Sequence, residues 1–135
     1  MDFDPVLRPG MRGKKEDRVT EKNTARSYGS GGLEVYATPS MAALMEGACV
    51  EAVDKALPGG FSTVGTELSI KHLAATPLGM AVRAEGELLE IDGRRLRFRV
   101  EAWDGAGKIG EGVHGRFIVE NAKFLKKAEE KRGSS

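Results

Sequence analysis

The sequence changes hydrophobic period once, and that change limits the folds open to it. Between Thr38 and Ala56 apolar residues recur at helical spacing: Met41, Leu44, Met45, Ala48, Ala52 and Ala56 form a stripe that Ala42, Cys49 and Val53 widen. Thr38 before Pro39 reads as an N-cap with proline at the first helical position, and Pro58-Gly59-Gly60 ends the run. Beyond it the period is two. Val64, Thr66, Leu68, Ile70 and His72 fall on one strand face, with Glu67, Ser69 and Lys71 opposite. After Pro77 and Gly79, a second strand faces Met80, Val82, Ala84, Gly86 and Leu88 inward. Asp92-Gly93 marks a hairpin, a third strand faces Leu96, Phe98, Val100 and Ala102 inward, and a fourth runs from about Lys108 to Glu120. One helix and a set of strands joined by short turns predict an α+β chain, in which a curled antiparallel sheet wraps one long helix and consecutive strands pair as neighbours. The small residues of the stripe let a sheet approach the helix closely, although a helix lying on a flat sheet fits the same pattern.

The remainder of the chain bounds the function. Its 135 residues fit a single domain, 1–135, with an irregular leader over 1–14 and a charged tail over 123–135. Glu16 to Ala25 reads as a polar edge strand, and Ser27-Tyr28-Gly29-Ser30-Gly31-Gly32 as a loop. A net charge of +1 supplies no field for nucleic acid or an anionic membrane, so neither is an expected partner. No apolar run approaches the roughly 18 residues of a membrane span. Met1 to Gly10 carries Asp2 and Asp4 where a signal peptide is basic. Cys49 is the single cysteine, so no intramolecular disulfide forms, which suits a reducing compartment. The expected location is the cytoplasm.

Three polar residues stand out. Glu46 has Ala42, Ala43, Cys49 and Val50 as its helical neighbours, whereas Glu51 and Asp54 lie beside other charges. A carboxylate at the margin of an apolar face is a candidate base or nucleophile; it also reads as a core-boundary glutamate reaching water. His72 shares a strand face with Leu68 and Ile70. It is either a proton carrier aimed at the helix or a core histidine satisfied by a neighbour. Thr38 reads more readily as an N-cap than as a catalyst, and the two roles coexist only if its hydroxyl is shared or it lies just outside the helix. The other histidine, His114, lies on a glycine-rich strand, and no His, Cys and Asp residues fall at metal-ligand spacing, so no metal is expected.

Tyr36-Ala37-Thr38-Pro39-Ser40-Met41-Ala42-Ala43-Leu44-Met45-Glu46-Gly47-Ala48-Cys49 resembles the central helix of the fluoroacetyl-CoA thioesterase family. The likeness continues through Ser62-Thr63-Val64-Gly65-Thr66, Ile70-Lys71-His72-Leu73-Ala74-Ala75-Thr76-Pro77-Leu78-Gly79, Gly93-Arg94-Arg95-Leu96 and Gly110-Glu111-Gly112-Val113-His114-Gly115-Arg116. It spans about Glu34 to Phe124, with Thr, Glu and His at the family's spacing.

The resemblance implies the hot-dog fold and a homodimer, or a higher homo-oligomer, with acyl-CoA sites at the subunit interface. It implies thioester hydrolysis with coenzyme A as part of the substrate and no separate cofactor. By the same resemblance Thr38, Glu46 and His72 are catalytic. Glu46 attacks the thioester or activates water, His72 moves protons, and Thr38 holds Glu46 or the substrate. Gly65 and Arg116 bind substrate, Gly65 through its N–H at the thioester oxygen. The likeness departs at Gly29-Ser30-Gly31-Gly32-Leu33, where the family's phenylalanines close over the fluorinated acyl group, and this implies a more open site for another acyl group. Arg94, Arg95, Arg97, Arg99, Lys123, Lys126 and Lys127 are candidates for the CoA phosphates or simply a solvated surface. Two alternatives stand beside hydrolysis: a non-catalytic acyl-CoA-binding or regulatory module of this fold, and hydration of an enoyl thioester.

Overall fold

In the computed structural model, which describes residues 3 and 6–133, the described residues form β1 (Arg12–Arg18), α1 (Ala25–Tyr28), α2 (Thr38–Val53), β2 (Phe61–His72), β3 (Ala81–Asp92), β4 (Arg95–Asp104), β5 (Gly107–Glu120) and α3 (Asn121–Glu129). Short 3₁₀ turns, Asp54–Ala56 and Glu130–Gly133, follow α2 and α3. The strands make one antiparallel sheet in the order β1-β3-β4-β5-β2. It curls around α2, which touches β1, β2, β3 and β4. The helix buries Met41, Met45, Ala48, Cys49 and Ala52 against Leu88, Phe98, Val100, Ala102 and Ile118.

Small residues on both sides set how near the helix lies. A Cβ on Gly13 would come within 2.2 Å of the Ala48 carbonyl oxygen and 2.5 Å of the Ala52 nitrogen. Gly86, paired with Gly13 across β1 and β3, would put one 2.6 Å from Cys49 Sγ. Gly110 would do the same 2.5 Å from Met41 Sδ. The strands therefore meet the helix backbone itself, which explains the alanine-rich face of α2.

Four sequence expectations are corrected. The leader is not irregular to residue 14, because β1 begins at Arg12, after Gly10 turns the chain at φ 98° and Met11 pairs with Leu88. Met1, Asp2, Asp4 and Pro5 lie outside the described residues. The polar edge strand ends at Arg18 rather than running to Ala25, because Asn23 folds back, accepting from the Thr20 N–H and donating to the Arg18 carbonyl, and α1 follows. Consecutive strands pair at β3–β4 and β4–β5, but β2 pairs with β5. Residues 73–80 carry the chain across the helix start instead of making a hairpin, held by Tyr36 N–H to the Thr76 carbonyl (2.9 Å) and by Thr76 Oγ1 to Asp104 (2.7 Å). Lastly, Val64 and Thr66 do not share a face with Leu68. Thr66 is the extra residue of a bulge between Gly65 and Glu67, so Thr63 and Gly65 face inward before it, and Leu68, Ile70 and His72 after it.

The glycine contacts predict that Gly13→Ala costs about 1–3 kcal/mol, the range for overpacking a filled core. Denaturant unfolding of the parent and variant checks this; equal midpoints would show that the helix can retreat without loss.

Candidate active site

The first turn of α2 and the end of β2 meet, and their polar side chains bond. The N-cap is Ala37, whose N–H binds the Asn23 carbonyl at 2.9 Å; it carries no side-chain cap. Thr38 is therefore the first helical residue and not the cap expected from sequence. Its hydroxyl is free of the helix end and lies 2.8 Å from His72 Nδ1. The other ring nitrogen, Nε2, is buried without a hydrogen-bond partner among the described residues. A cleft of about 390 Å³ opens beside this pair, lined by Ala25, Val35, Tyr36, Thr38, His72 and Ala74 among others.

Glu46 is elsewhere. Eight residues of helix rise about 12 Å, which takes its carboxylate from Thr38 to the middle of β2, the edge strand. There a Cβ on Gly65 would lie 2.9 Å from Glu46 Oε2, 3.3 Å from His114 Cε1 and 3.4 Å from Arg116 Nη1. Glycine thus lets the carboxylate touch the strand. The Glu46 side chain is 42% exposed, with Oε2 3.9 Å from His114 Nε2, and it accepts no hydrogen bond from another described residue. The five residues named from sequence fall into two groups: Thr38 with His72, and Glu46 with Gly65 and Arg116.

Behind Glu46 runs a polar chain of which the sequence reading singled out Arg116 alone, as a substrate contact. Asp54 accepts from the Thr63 hydroxyl (2.5 Å) and the Thr63 N–H (3.1 Å). Arg116 donates from Nε to Thr63 Oγ1 (2.8 Å) and from Nη2 to the Thr63 carbonyl (2.9 Å), and Nη1 lies 3.0 Å from His114 Nε2. His114 Nδ1 lies 2.7 Å from the Glu67 carbonyl. Alternation along β5 was the available signal: Gly112, His114, Arg116 and Ile118 share a face with period two.

Burial sets the imidazoles' protonation. Desolvation lowers the pKa of His72, with the Ala74 backbone opposing. His114 is lowered first by burial, with the Arg116 charge adding and the Glu67 backbone, Glu46 and Glu67 opposing. Of the basic candidates for CoA phosphates, Arg94 stacks over Phe3 and Phe61, Arg99 pairs with Glu87 and Lys123 with Glu120. Arg95, Arg97, Lys126 and Lys127 are exposed and unpaired among the described residues. No group of three or more His, Cys, Asp or Glu among those residues is placed to hold a metal, and no described helix is long and apolar enough to cross a membrane.

Residues 19–122 match the family described as FlK, fluoroacetyl-CoA-specific thioesterase. A fluoroacetyl-CoA thioesterase of Streptantibioticus cattleyicolor is 44% identical over 98 residues, which cover 73% of this chain and 70% of that protein. A solved fluoroacetyl-CoA thioesterase matches with TM-score 0.85 and 38% identity, over 93% of this chain and 97% of the other. A hot-dog-like protein from Thermanaerovibrio acidaminovorans matches at 0.87 and 26% identity, over 97% of both chains. A thioesterase superfamily member from Thermus thermophilus matches at 0.85 and 29%, over 98% of this chain and 99% of that one. The expected architecture, a curled antiparallel sheet around one helix, is the hot-dog fold of these structures.

Both histidines have folded-state pKa values below their ordinary 6.5. In that window the unfolded chain binds more protons, so stability falls as pH drops below about 6.5 and toward the lowered values. Melting temperatures across that range should decline in the parent and decline less in His114→Gln. An identical slope in the variant would remove His114 from the account.

Proposed function

The chain belongs to the fluoroacetyl-CoA-specific thioesterase family and is a thioester hydrolase of the acyl-CoA class, and on that premise we propose that Glu46, His72 and Thr38 carry the reaction from two subunits of a dimer. The observation behind this is the separation just described: a reactive pair at one end of β2 and a free carboxylate beside Gly65, with the edge of β2 open to a partner.

β2 is the last strand of the sheet, and its outer edge has no neighbour among the described residues. An antiparallel pairing of two β2 edges about a two-fold axis near Leu68 and Ser69 sets Gly65 opposite the partner subunit's His72. Glu46, which touches Gly65, then faces the partner's Thr38 and His72. Such pairing removes the exposed edge and assembles two equivalent sites at once.

The chemistry follows from the groups. Glu46, which accepts no hydrogen bond from another described residue, attacks the thioester carbon or takes a proton from the water that does. The C–S bond breaks, the water oxygen ends in the acid, and one water proton ends on the CoA sulfur. His72 is neutral near pH 7 and its Nε2 has no hydrogen-bond partner among the described residues, so it suits carriage of that proton. Thr38 holds the ring through Nδ1; it does not hold Glu46 along its own helix. The Gly65 N–H serves the thioester oxygen, and Arg116 orders the carboxylate's surroundings. No metal or separate cofactor enters this scheme. A cytoplasmic location goes with the free, buried Cys49 thiol.

Substrate size follows the family, and the cleft bears only on fluoroacetyl selectivity. Gly29-Ser30-Gly31-Gly32 precedes α2, Leu33 is 71% exposed, and Ala25, Ala74 and Ala75 line the opening. Such a mouth excludes little, so we assign the site no fluoroacetyl preference; its small acyl substrates follow from the fluoroacetyl-CoA thioesterase relative. A non-catalytic acyl-CoA module would keep the fold while leaving CoA unreleased.

Two measurements test this. A panel of short acyl-CoA thioesters with free-thiol detection should show turnover, and Glu46→Gln should lower it about a hundredfold or more; binding without thiol release across the panel would favour the non-catalytic module. Mixing inactive Glu46→Gln and His72→Ala dimers should restore about a quarter of the parental activity, since half the dimers are then mixed and each keeps one intact site. No recovery after verified subunit exchange would place each site within one subunit.

A further inference from the structure

We infer that His114 is a positioning residue: as a neutral ring protonated at Nδ1, it accepts a hydrogen bond from Arg116, aims the guanidinium at the Gly65–Glu46 corner and leaves the Glu46 carboxylate unpaired. The inference rests on the assignment of Glu46 as the reacting carboxylate.

Valence settles the tautomer. A guanidinium has five N–H donors and no acceptor, so the 3.0 Å contact between Arg116 Nη1 and His114 Nε2 requires a lone pair on Nε2. The opposite contact, 2.7 Å from Nδ1 to the Glu67 carbonyl, requires a proton on Nδ1. Together they admit one proton, in one place.

The groups facing the ring hold it in that state. On β5 lies the Arg116 cation, and from α2 comes Glu46, its Oε2 3.9 Å from Nε2. Cys49 on α2 feels both charges, but burial pushes its thiol up to about 12, so it stays neutral. β2 supplies the Glu67 carbonyl and carboxylate. β4 places the uncharged Phe98 ring beside it, centroids 6.3 Å apart. The carboxylates favour a second proton; burial at 1% exposure and the Arg116 charge disfavour it.

A second proton on Nε2 would undo the site in two ways. It would point at the guanidinium hydrogens and drive Arg116 from Nη1 contact, and it would give Glu46 a cation 3.9 Å away. With Nε2 bare, neither happens. Arg116 is pinned by Thr63 through Nε and Nη2 and by His114 through Nη1, and the remaining Nη1 hydrogen has no acceptor among the described residues. Nη1 lies 3.4 Å, and Glu46 Oε2 2.9 Å, from the point where a Gly65 Cβ would be. The guanidinium edge and the carboxylate thus meet at the same glycine.

Imidazole ¹⁵N correlation spectra of the parental protein should show His114 with Nδ1 protonated and Nε2 bare at pH 7, and still so at pH 6, where a free imidazole of pKa about 6.5 is mostly charged. An imidazolium or an Nε2–H tautomer at pH 7 overturns the inference without any variant. In turnover, His114→Leu removes the acceptor and should lower kcat about ten- to a hundredfold with KM little changed, the scale of a misplaced reacting group. His114→Gln, which restores a carbonyl acceptor, should recover most of that loss. A folded His114→Leu with parental kcat, beside an inactive Glu46→Gln, sinks the positioning role alone. Parental turnover by Glu46→Gln sinks the carboxylate assignment and this role with it.

Discussion

The closeness of α2 to the sheet governs the rest of the structure. Gly13 and Gly86 lie side by side under the helix backbone, and Gly110 lies under Met41. A helix held at side-chain distance would keep its polar residues clear of the strands. At backbone distance, any side chain at the helix margin must run along the sheet and be met by whatever the sheet presents there. Thr38 is met by His72, and Glu46 by a glycine. The same alanines and glycines that close the core therefore decide which polar atoms touch, so the packing and the site are one arrangement.

Much of this is legible in the residues, and the limits are physical. The single change of period identifies the helix and the strands after it because burial on one face imposes a repeat on each element. Glu46 and His72 stand out because each is a polar residue on an apolar face. What periodicity misses are departures of a single residue. The bulge at Thr66 reverses the inward face within β2, and its one sequence sign is Gly65 inside the strand, which marks a bulge without fixing the residue it falls on. The start of α2 lies one residue earlier than its threonine and proline suggest, which turns a cap into a free hydroxyl. Strand order depends on where residues 73–80 are anchored, through Thr76 to Asp104 and Tyr36, and those partners are distant in sequence. The resemblance to a known family supplied the grouping of Thr38, Glu46 and His72. The folded chain splits that group in two, because Thr38 is itself helical and about 12 Å of helix rise separates it from Glu46.

The buried arginine shows how the fold keeps Glu46 available. Arg116 is 7% exposed, and a guanidinium so placed needs nearby negative charge and acceptors on each of its nitrogens. A direct ion pair with Glu46 would satisfy it most simply and would also occupy the carboxylate. The structure instead surrounds the cation with neutral acceptors, the Thr63 hydroxyl and carbonyl and the His114 ring. Asp54 stands one hydrogen bond behind Thr63, and Glu46 stands 3.9 Å beyond His114. The positive charge is thus balanced from two sides without direct contact with either carboxylate. Asp54 spends its oxygens on Thr63 and turns the hydroxyl lone pairs toward Arg116, so the far carboxylate carries the structural share of the compensation. That division leaves the near one, at the glycine and open to solvent, as the charge not committed to holding the protein together.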